Sequence, residues 1–245
     1  MIPLKHIPLE KAYNLRDMGG IPTADGQAVR WQALFRADGL AELTENDQNT
    51  LLALGIRTVL DLRSKSENEM LPDRLPSEIQ HIHCPLQEED FDMNHLDDGA
   101  AGAFKKSLTQ TYTAMVLETP QLLCHALSVL TDALARGGVL FHCTAGKDRT
   151  GVVGAAVLTL CACTTEDIIA DYEVSNTYNR DGINQVFAQL PNAEEFNGAL
   201  QSKPETMQTL LDLFARLDFP NYLDKNGFSY AKQAALRKAL LVPMD

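Results

Sequence analysis

One short segment of the sequence places a cysteine and an arginine at a spacing suited to phosphate chemistry. It runs His142-Cys143-Thr144-Ala145-Gly146-Lys147-Asp148-Arg149-Thr150-Gly151. A thiolate is the nucleophile needed to attack phosphorus and form a covalent intermediate, and an arginine fork can donate two N–H groups to phosphate oxygens. Of the five cysteines, only Cys143 has an arginine, Arg149, six positions later. The pair therefore predicts transfer of a phosphoryl group to the cysteine sulfur.

The elements expected around this segment would place the cysteine in an anion site. Residues 139–142 are apolar and predict a buried strand, and residues 149–160 predict a helix after the turn residues. Ligands of open α/β sheets lie at the carboxyl ends of strands, and a helix N-terminus offers unpaired N–H groups and a positive dipole end to an anion. Gly146 would let the backbone approach a ligand closely. The same field would favour a thiolate at Cys143.

The other residues of the segment are predicted to bind substrate. A loop of successive N–H groups can form an anion nest, His142 would orient the thiolate or tune its basicity, and the Thr150 hydroxyl would donate to the sulfur or to the phosphate. Lys147 either contacts a second anionic group of the substrate or is a solvated loop lysine, and the sequence favours neither. The predicted substrate-binding residues are His142, Thr144, Ala145, Gly146, Lys147 and Thr150.

Other readings of the segment fit less well. A Walker A loop needs Ser or Thr directly after Gly-Lys, but Asp148 follows Lys147. A sulfurtransferase loop also cradles a cysteine, but it is usually shorter. A buried core thiol would not need a polar, glycine-containing loop behind it. The segment therefore favours a phosphate site over these alternatives.

Patterning along the rest of the chain predicts the fold class. Helical and strand-like segments alternate, which is typical of α/β proteins with a central, largely parallel sheet flanked by helices. The C-terminal part is expected to be helical. Residues 1–245 are expected to form a single domain. The expected elements are a turn over 14–20, a strand over 29–36, a helix from an N-cap at Thr44 to about 54, strands over 56–61 and within 79–85, helices over 105–117 and 121–135, and helices from 165 onward.

Composition narrows the function classes. The 21 basic and 33 acidic residues give a net charge of −12, which disfavours nucleic acid and stable association with anionic membranes. The five cysteines include no Cys-x-x-Cys pair, so no disulfide framework, metal or cofactor is predicted. The N-terminus lacks the apolar run of a signal peptide, so a cytoplasmic location is expected, with other export routes left open.

The segment from His142 to Gly151 resembles the protein tyrosine phosphatase superfamily. It is most similar to bacterial tyrosine and dual-specificity phosphatases with a His-Cys-x-x-Gly-Lys-Asp-Arg-Thr-Gly loop. Further blocks of that family match residues 14–20, 35–38, 61–64 with Glu67, and 235–241, so the resemblance covers nearly the whole chain. One departure is Ala37, where the family more often has Ser. The resemblance implies a tyrosine phosphatase fold and a phosphocysteine intermediate.

The general acid of such a reaction stays open between several aspartates. Asp148 lies inside the loop, as in myotubularin-like enzymes, and would protonate the leaving oxygen. Asp61 is an alternative, because it ends a strand beside the site in the family. An acidic loop over residues 87–102 would supply a lid acid from Asp90, Asp92, Asp97 or Asp98.

Three further charged residues, Arg16, Asp17 and Arg63, are expected to form a buried ion-pair network that braces the loop rather than to act in catalysis.

The expected activity is removal of phosphate from phosphotyrosine, with phosphoserine and phosphothreonine as further substrates. Lys147 and Asp148 would also suit a phosphoinositide head group, so a phosphoinositide phosphatase is the alternative. A catalytically weak pseudophosphatase is disfavoured because Cys143, Arg149, Thr150 and Asp148 are all present. The predicted partner is therefore a phosphorylated protein or a phosphoinositide substrate.

Overall fold

The fold places a small, largely parallel sheet between layers of helices. The computed structural model describes residues 4–87, 107–180 and 201–244. Its strands are β1 (Arg16–Asp17), β2 (Gln27–Val29), β3 (Leu34–Ala37), β4 (Ile56–Asp61), β5 (Gln80–His83), β6 (Gly138–His142) and β7 (Leu241–Pro243). Its helices are α1 (Glu45–Ala53), α2 (Lys65–Met70), α3 (Leu108–Leu117), α4 (Pro120–Ala133), α5 (Asp148–Leu160), α6 (Thr165–Glu173), α7 (Ser175–Tyr178), α8 (Pro204–Leu217), α9 (Phe219–Lys225) and α10 (Tyr230–Leu240).

The main sheet has the strand order β1-β3-β6-β4-β5. The pairs β3–β6, β6–β4 and β4–β5 are parallel, and only the short edge strand β1 is antiparallel. The carboxyl ends of β6 and β4 are level, because His142 pairs with Asp61. The residues that follow these two strands therefore meet at one edge of the sheet, where ligands of α/β proteins usually bind. The predicted largely parallel sheet is confirmed.

Alternating side chains of the strands pack into two hydrophobic cores on opposite faces of the sheet. Val139 and Phe141 of β6 pack into the larger core with helices α3 to α6 and α8 to α10, whereas Leu140 packs into the smaller core with Leu51 of α1. This period of two is the expected pattern for a strand that is covered on both faces. All five residues of β6 are buried, so the strand that leads to Cys143 is held firmly in place.

Local signals account for several helix ends. Thr44 caps α1 in a capping box with Asp47, and Gly55 follows the helix with a φ of 78°. Pro120 occupies the first turn of α4, where its missing N–H costs no helical hydrogen bond. These ends agree with the sequence prediction.

Two sequence predictions about elements were wrong. Residues 14–20 are more than a turn, because Arg16 and Asp17 form β1 against β3. The strand predicted over 29–36 is divided into β2 and β3 by a turn in which Gln32 has a φ of 59°. The predicted helical C-terminal part is confirmed by α6 to α10, and the short strand β7 that follows α10 pairs with β2.

No helix within the described ranges is long and apolar enough to cross a membrane. A single domain over residues 1–245 stays a prediction, as does the cytoplasmic location.

Candidate active site

The loop between β6 and α5 carries the predicted nucleophile. Cys143 is a free thiol with only 2% of its surface exposed, directly after the last residue of β6. The first helical residue of α5 is Asp148, and the residue before it, Lys147, makes no side-chain cap to the helix. The first-turn N–H groups of α5 are thus left without a side-chain cap at the end of the loop.

The loop lies very close to the end of β3. Gly146 has a φ of 63°, a conformation that glycine adopts without strain. A Cβ atom at this position would lie 2.2 Å from the carbonyl oxygen of Ala37. The N–H of Gly39 donates to the carbonyl of Thr144 at 3.0 Å. Only glycine therefore fits where the sequence has it.

Three side chains from different parts of the chain bind the carbonyl groups of the loop. Asn14 Nδ2 donates to the carbonyls of Ala145 and Gly146 at 3.0 and 3.2 Å. Asn179 Nδ2 donates to Ala145 at 2.7 Å, and Arg36 donates to Gly146 at 2.9 Å. We call Asn14, Arg36 and Asn179 the carbonyl clamp. Because a peptide's C=O and N–H point in opposite directions, this clamp turns loop N–H groups away from the core.

A buried ion-pair network holds the clamp. Asp171 lies between Arg16, whose Nε is 3.2 Å away, and Arg36, whose guanidinium is 2.7 Å away. Burial alone would raise the pKa of Asp171, but the two guanidinium groups hold it well below its usual range. Burial and the neighbouring Arg36 lower the pKa of Arg16 to about 10. Arg16 also donates to Asn14 Oδ1 at 2.5 Å, which fixes the Asn14 amide with its NH2 group toward the loop.

The network expected from the sequence is thus present for Arg16. Asp17 differs, because its carboxylate accepts from the backbone N–H groups of Gly19 and Gln32 at 2.8 and 2.7 Å. Burial raises the pKa of Asp17 above its ordinary value.

Arg149 projects from the first turn of α5 and forms a two-point ion pair with Glu67 of α2. The N–O distances are 2.5 and 2.9 Å, and Thr144 Oγ1 donates to the same carboxylate at 2.5 Å. Burial would raise the pKa of Glu67, but the hydrogen bond and positive charge of Arg149, together with hydrogen bonds from Thr144 and Ser64, outweigh it and lower the pKa to about 2. Burial would likewise lower the pKa of Arg149, but Glu67 raises it above its ordinary value.

His142, the residue before Cys143, belongs to a cluster of charged groups built around two carboxylates. Arg63 binds Asp61 and Asp73 at 2.7 and 2.8 Å, so Arg63 lies in an ion-pair network as expected. His142 Nε2 lies 2.8 Å from Asp73, and its Nδ1 lies 3.1 Å from the carbonyl of Cys143. Burial would raise the pKa of Asp61, but hydrogen bonds from His81 and Arg63 hold it far below its usual range.

The same cluster is the candidate for a metal site within the described ranges. Ligand atoms of Asp61, Asp73 and His142 lie within 4.8 Å of one another. However, the Arg63 guanidinium already pairs with both carboxylates, and His81 lies 3.6 and 3.4 Å from them. These cations supply the positive charge that a metal ion would bring, so the residues present do not favour one.

Lys147 and Asp148 lie side by side, with Lys147 Nζ 3.3 Å from Asp148 Oδ1. Only 3% of the Lys147 side chain is exposed, whereas 30% of the Asp148 side chain is exposed. Lys147 Nζ also donates to the carbonyl of Gln201 at 3.5 Å. The reading of Lys147 as a solvated loop lysine is therefore wrong. Asp148 Oδ1 further accepts a hydrogen bond of 2.6 Å from Tyr112.

Thr150 is fully buried in the first turn of α5. Its Oγ1 has no hydrogen-bond partner among the described residues, which is unusual for a buried hydroxyl. The acidic-loop candidates Asp90, Asp92, Asp97 and Asp98 lie outside the described residues.

Several residues that shape the site were not singled out from the sequence. In the sequence Glu67 stands out only as part of a family block, although Ser64 and Glu67 form a capping box at the start of α2. That signal predicts a helix start but not a contact with Arg149. The other missed residues carried no local signal: Asp73, His81, Tyr112, Asp171, Tyr172 and Asn179.

Comparison with known proteins places this chain in a family. The profile of the tyrosine phosphatase family matches residues 7–242, so the chain belongs to that family. The family predicted from the sequence is thereby confirmed.

Two sequence relatives and one solved structure are similar to this chain. A tyrosine-protein phosphatase of Nostoc commune is 30% identical over 166 residues, which are 64% of this chain and 53% of the relative. This chain therefore spans about half the length of that relative. The triple specificity protein phosphatase PtpB of Mycobacterium tuberculosis is 32% identical over 206 residues, covering 74% of this chain and 72% of PtpB. A crystal structure of P. aeruginosa TpbA in complex with pTyr has 14% identity and a TM-score of 0.39, covering 71% of this chain and 90% of TpbA.

Proposed function

We propose that the protein is a cysteine-dependent phosphomonoesterase that removes phosphate from phosphotyrosine through a phosphocysteine intermediate on Cys143. The observation that carries the proposal is the carbonyl clamp. It holds the carbonyls of Ala145 and Gly146 at 2.7 to 3.2 Å, which directs N–H groups of the loop to the side where Cys143 and the start of α5 would meet an anion.

The reaction would proceed in two displacements at phosphorus. Cys143 Sγ forms a bond to phosphorus while the bond to the tyrosine oxygen breaks, and a proton passes from the general acid to that oxygen. Water then attacks the phosphocysteine, the same residue accepts a proton from the water, and the sulfur leaves as a thiolate. Thr150 Oγ1, buried and without a partner in the described part of the chain, would donate to the sulfur.

Asp148 is the aspartate best suited to be the general acid. It follows the nest of the loop directly, and its side chain is 30% exposed, so a substrate can reach it. Asp61 is fully buried and bound to Arg63. Its strongly lowered pKa, which hydrogen bonds from His81 and Arg63 maintain against burial, keeps it ionised and unable to donate a proton.

Arg149 would bind the phosphate while Glu67 holds it. A guanidinium carries five N–H donors, and the ion pair with Glu67 engages one nitrogen with each carboxylate oxygen. A further N–H group of Arg149 contacts Thr144 Oγ1 at 3.4 Å, and the N–H groups left over would bind equatorial oxygens of the transferring phosphoryl group. Glu67 therefore orients the arginine without consuming all of its donors.

Phosphotyrosine is the substrate that the family assignment supports best. The name of the PtpB relative, a triple specificity phosphatase, is consistent with action on phosphoserine and phosphothreonine as well. The phosphoinositide alternative depended on an accessible Lys147, but that side chain is 3% exposed and contacts Asp148. We therefore propose a phosphorylated protein rather than a lipid as the substrate.

The proposal is tested with Cys143→Ser and with Cys163→Ser as a matched control, because Cys163 is a half-buried thiol beyond α5. We expect Cys143→Ser to lose turnover of an aryl phosphate and of a phosphotyrosine peptide while still binding inorganic phosphate. Cys163→Ser should retain both properties. Turnover by Cys143→Ser close to wild type would overturn the covalent mechanism.

A further inference from the structure

Two buried tyrosine hydroxyls form a chain that ends on the proposed general acid. Tyr112 of α3 donates its hydroxyl to Asp148 Oδ1 at 2.6 Å, and its oxygen lies 2.8 Å from the hydroxyl of Tyr172 of α6. Their exposed fractions are 1% and 0%. Two helices that are distant in sequence thus converge on the first turn of α5.

The direction of the hydrogen bonds follows from the number of protons. An ionised carboxylate can only accept, so Tyr112 donates its single proton to Asp148 and its oxygen accepts from Tyr172. Burial, and the nearby Asp148 carboxylate after it, raise the pKa of both phenols. Both hydroxyls therefore keep their protons at neutral pH, and each bond of the chain polarises the next.

The contacts of the Asp148 carboxylate with the described residues engage Oδ1 and leave Oδ2 able to donate a proton. Tyr112 and Lys147 Nζ, the latter at 3.3 Å, both contact Oδ1. The side chain is nonetheless 30% exposed. Oδ2 is thus the oxygen that can carry a proton to a bound substrate, while Oδ1 is anchored from the core.

We propose that Tyr112, supported by Tyr172, is a positioning residue that aims Asp148 at the leaving group; this rests on the general-acid role proposed above. As the sulfur–phosphorus bond forms and the phosphorus–oxygen bond breaks, the proton on Asp148 Oδ2 passes to the leaving oxygen. The negative charge then left on Asp148 is stabilised by the Tyr112 hydroxyl, which is already in place. Tyr172 holds Tyr112 in the donating orientation.

The test compares a good and a poor leaving group, because only the poor one needs a proton. In Tyr112→Phe we expect kcat for an alkyl phosphate to fall about 10-fold, a part of the roughly 10²–10⁴-fold that general acid catalysis supplies. The kcat for p-nitrophenyl phosphate should change little. The matched control is Tyr222→Phe. The Tyr222 hydroxyl also contacts α3, but it donates to the carbonyl of Val116 and not to Asp148. This control should leave both rates unchanged.

A second arm shows whether Tyr112 acts through Asp148. Adding Tyr112→Phe to Asp148→Asn should cause no further loss, whereas independent effects would multiply. If Asp148→Asn slows the poor leaving group selectively but Tyr112→Phe does not, the positioning role is overturned and the general acid stands. If Asp148→Asn shows no such selectivity, the general-acid assignment itself fails. Equal losses on both substrates in Tyr112→Phe would mean that Tyr112 only supports the fold.

Discussion

The Arg149 guanidinium and the Glu67 carboxylate form a two-point ion pair with N–O distances of 2.5 and 2.9 Å, although 82 positions separate the two residues in sequence. The pair joins the first turn of α5 to α2, which lies beyond the carboxyl end of β4. Its side chains are 12% and 13% exposed, so water screens the interaction only in part. The guanidinium is therefore already oriented for the phosphate that we propose it binds.

Glu67→Gln should weaken catalysis more than it weakens folding. The amide keeps the size of the side chain but offers one acceptor oxygen instead of two and no charge, so Arg149 loses its fixed orientation. We expect kcat/KM for an aryl phosphate to fall by roughly 10-fold or more, part of the 10²–10³-fold that a preorganised donor is typically worth.

The control for Glu67→Gln is Glu69→Gln on the same helix, since within the described residues Glu69 makes only an exposed ion pair, with Lys65 at 3.7 Å. That variant should behave as wild type. Unchanged kcat/KM in Glu67→Gln would mean that Arg149 adopts its working position without this partner.

His81 should make stability depend on alkaline pH. Hydrogen bonds that His81 donates to the carboxylates of Asp61 and Asp73 raise its pKa from 6.5 to about 9. A raised folded-state pKa contributes stability that is fully present below 6.5 and is lost as pH rises through about 9. Arg63 and His142 also face these carboxylates, and the His81 side chain is 33% exposed, so the effect will be modest.

The measurement is urea unfolding below pH 6.5 and above pH 9 for wild type and His81→Gln. The stability difference between the two proteins should shrink at the higher pH. His125→Gln, an exposed position on α4, should show no such change. A difference that is the same at both pH values would show that His81 contributes packing rather than charge.

Sequence reasoning succeeded where the signal was local. The strand–loop–helix unit around Cys143 is continuous in the chain, and the apolar run of β6 and the glycine at 146 are visible in the sequence. The capping box of α1 follows the same logic, because two residues three positions apart, Thr44 and Asp47, suffice to define it. Strand order was not predicted, since it depends on which segments pair across long distances.

The supports of the loop could not be derived from the sequence for the same physical reason. Asp171 and Asn179 lie in a region correctly predicted as helical, but their contacts with Arg36 and Ala145 depend on how α6 and α7 pack against the loop. The prediction of a turn over residues 14–20 failed because β1 exists only through its pairing with β3. Long-range packing, not local propensity, decides these features.

Asn14→Asp should disorder the loop while keeping the shape of the side chain. The Asn14 amide donates to the carbonyl oxygens of Ala145 and Gly146. A carboxylate has no N–H group to donate, so it would leave both carbonyl oxygens without this partner. A displacement of the loop by about 1 Å can cost on the order of 10²-fold in rate, and we expect a loss of that size in kcat/KM.

Binding of inorganic phosphate to Asn14→Asp, measured by calorimetry, should weaken as well, because the nest itself is disturbed. Asn226→Ala is the control, since its amide donates to Tyr222 far along the chain from the loop. Near-normal phosphate affinity in Asn14→Asp would show that Arg36 and Asn179 hold the loop without it.

Gly146→Ala separates backbone strain from steric conflict when it is compared with Gly26→Ala. Both glycines have a positive φ, 63° and 80°, so alanine at either site should cost roughly 1–2 kcal/mol for the left-handed backbone. At Gly26 a Cβ would meet nothing within 4 Å, whereas at Gly146 it would lie 2.2 Å from the Ala37 carbonyl oxygen and 2.7 Å from the Asp38 nitrogen. Because these are backbone atoms of β3 and of the residue after it, the loop must move away, at a further cost of about 1–3 kcal/mol.

We therefore expect urea unfolding to show a larger loss of stability in Gly146→Ala than in Gly26→Ala. Activity on an aryl phosphate should disappear in Gly146→Ala alone. Wild-type activity in Gly146→Ala would mean that close contact with β3 is not needed to form the phosphate nest.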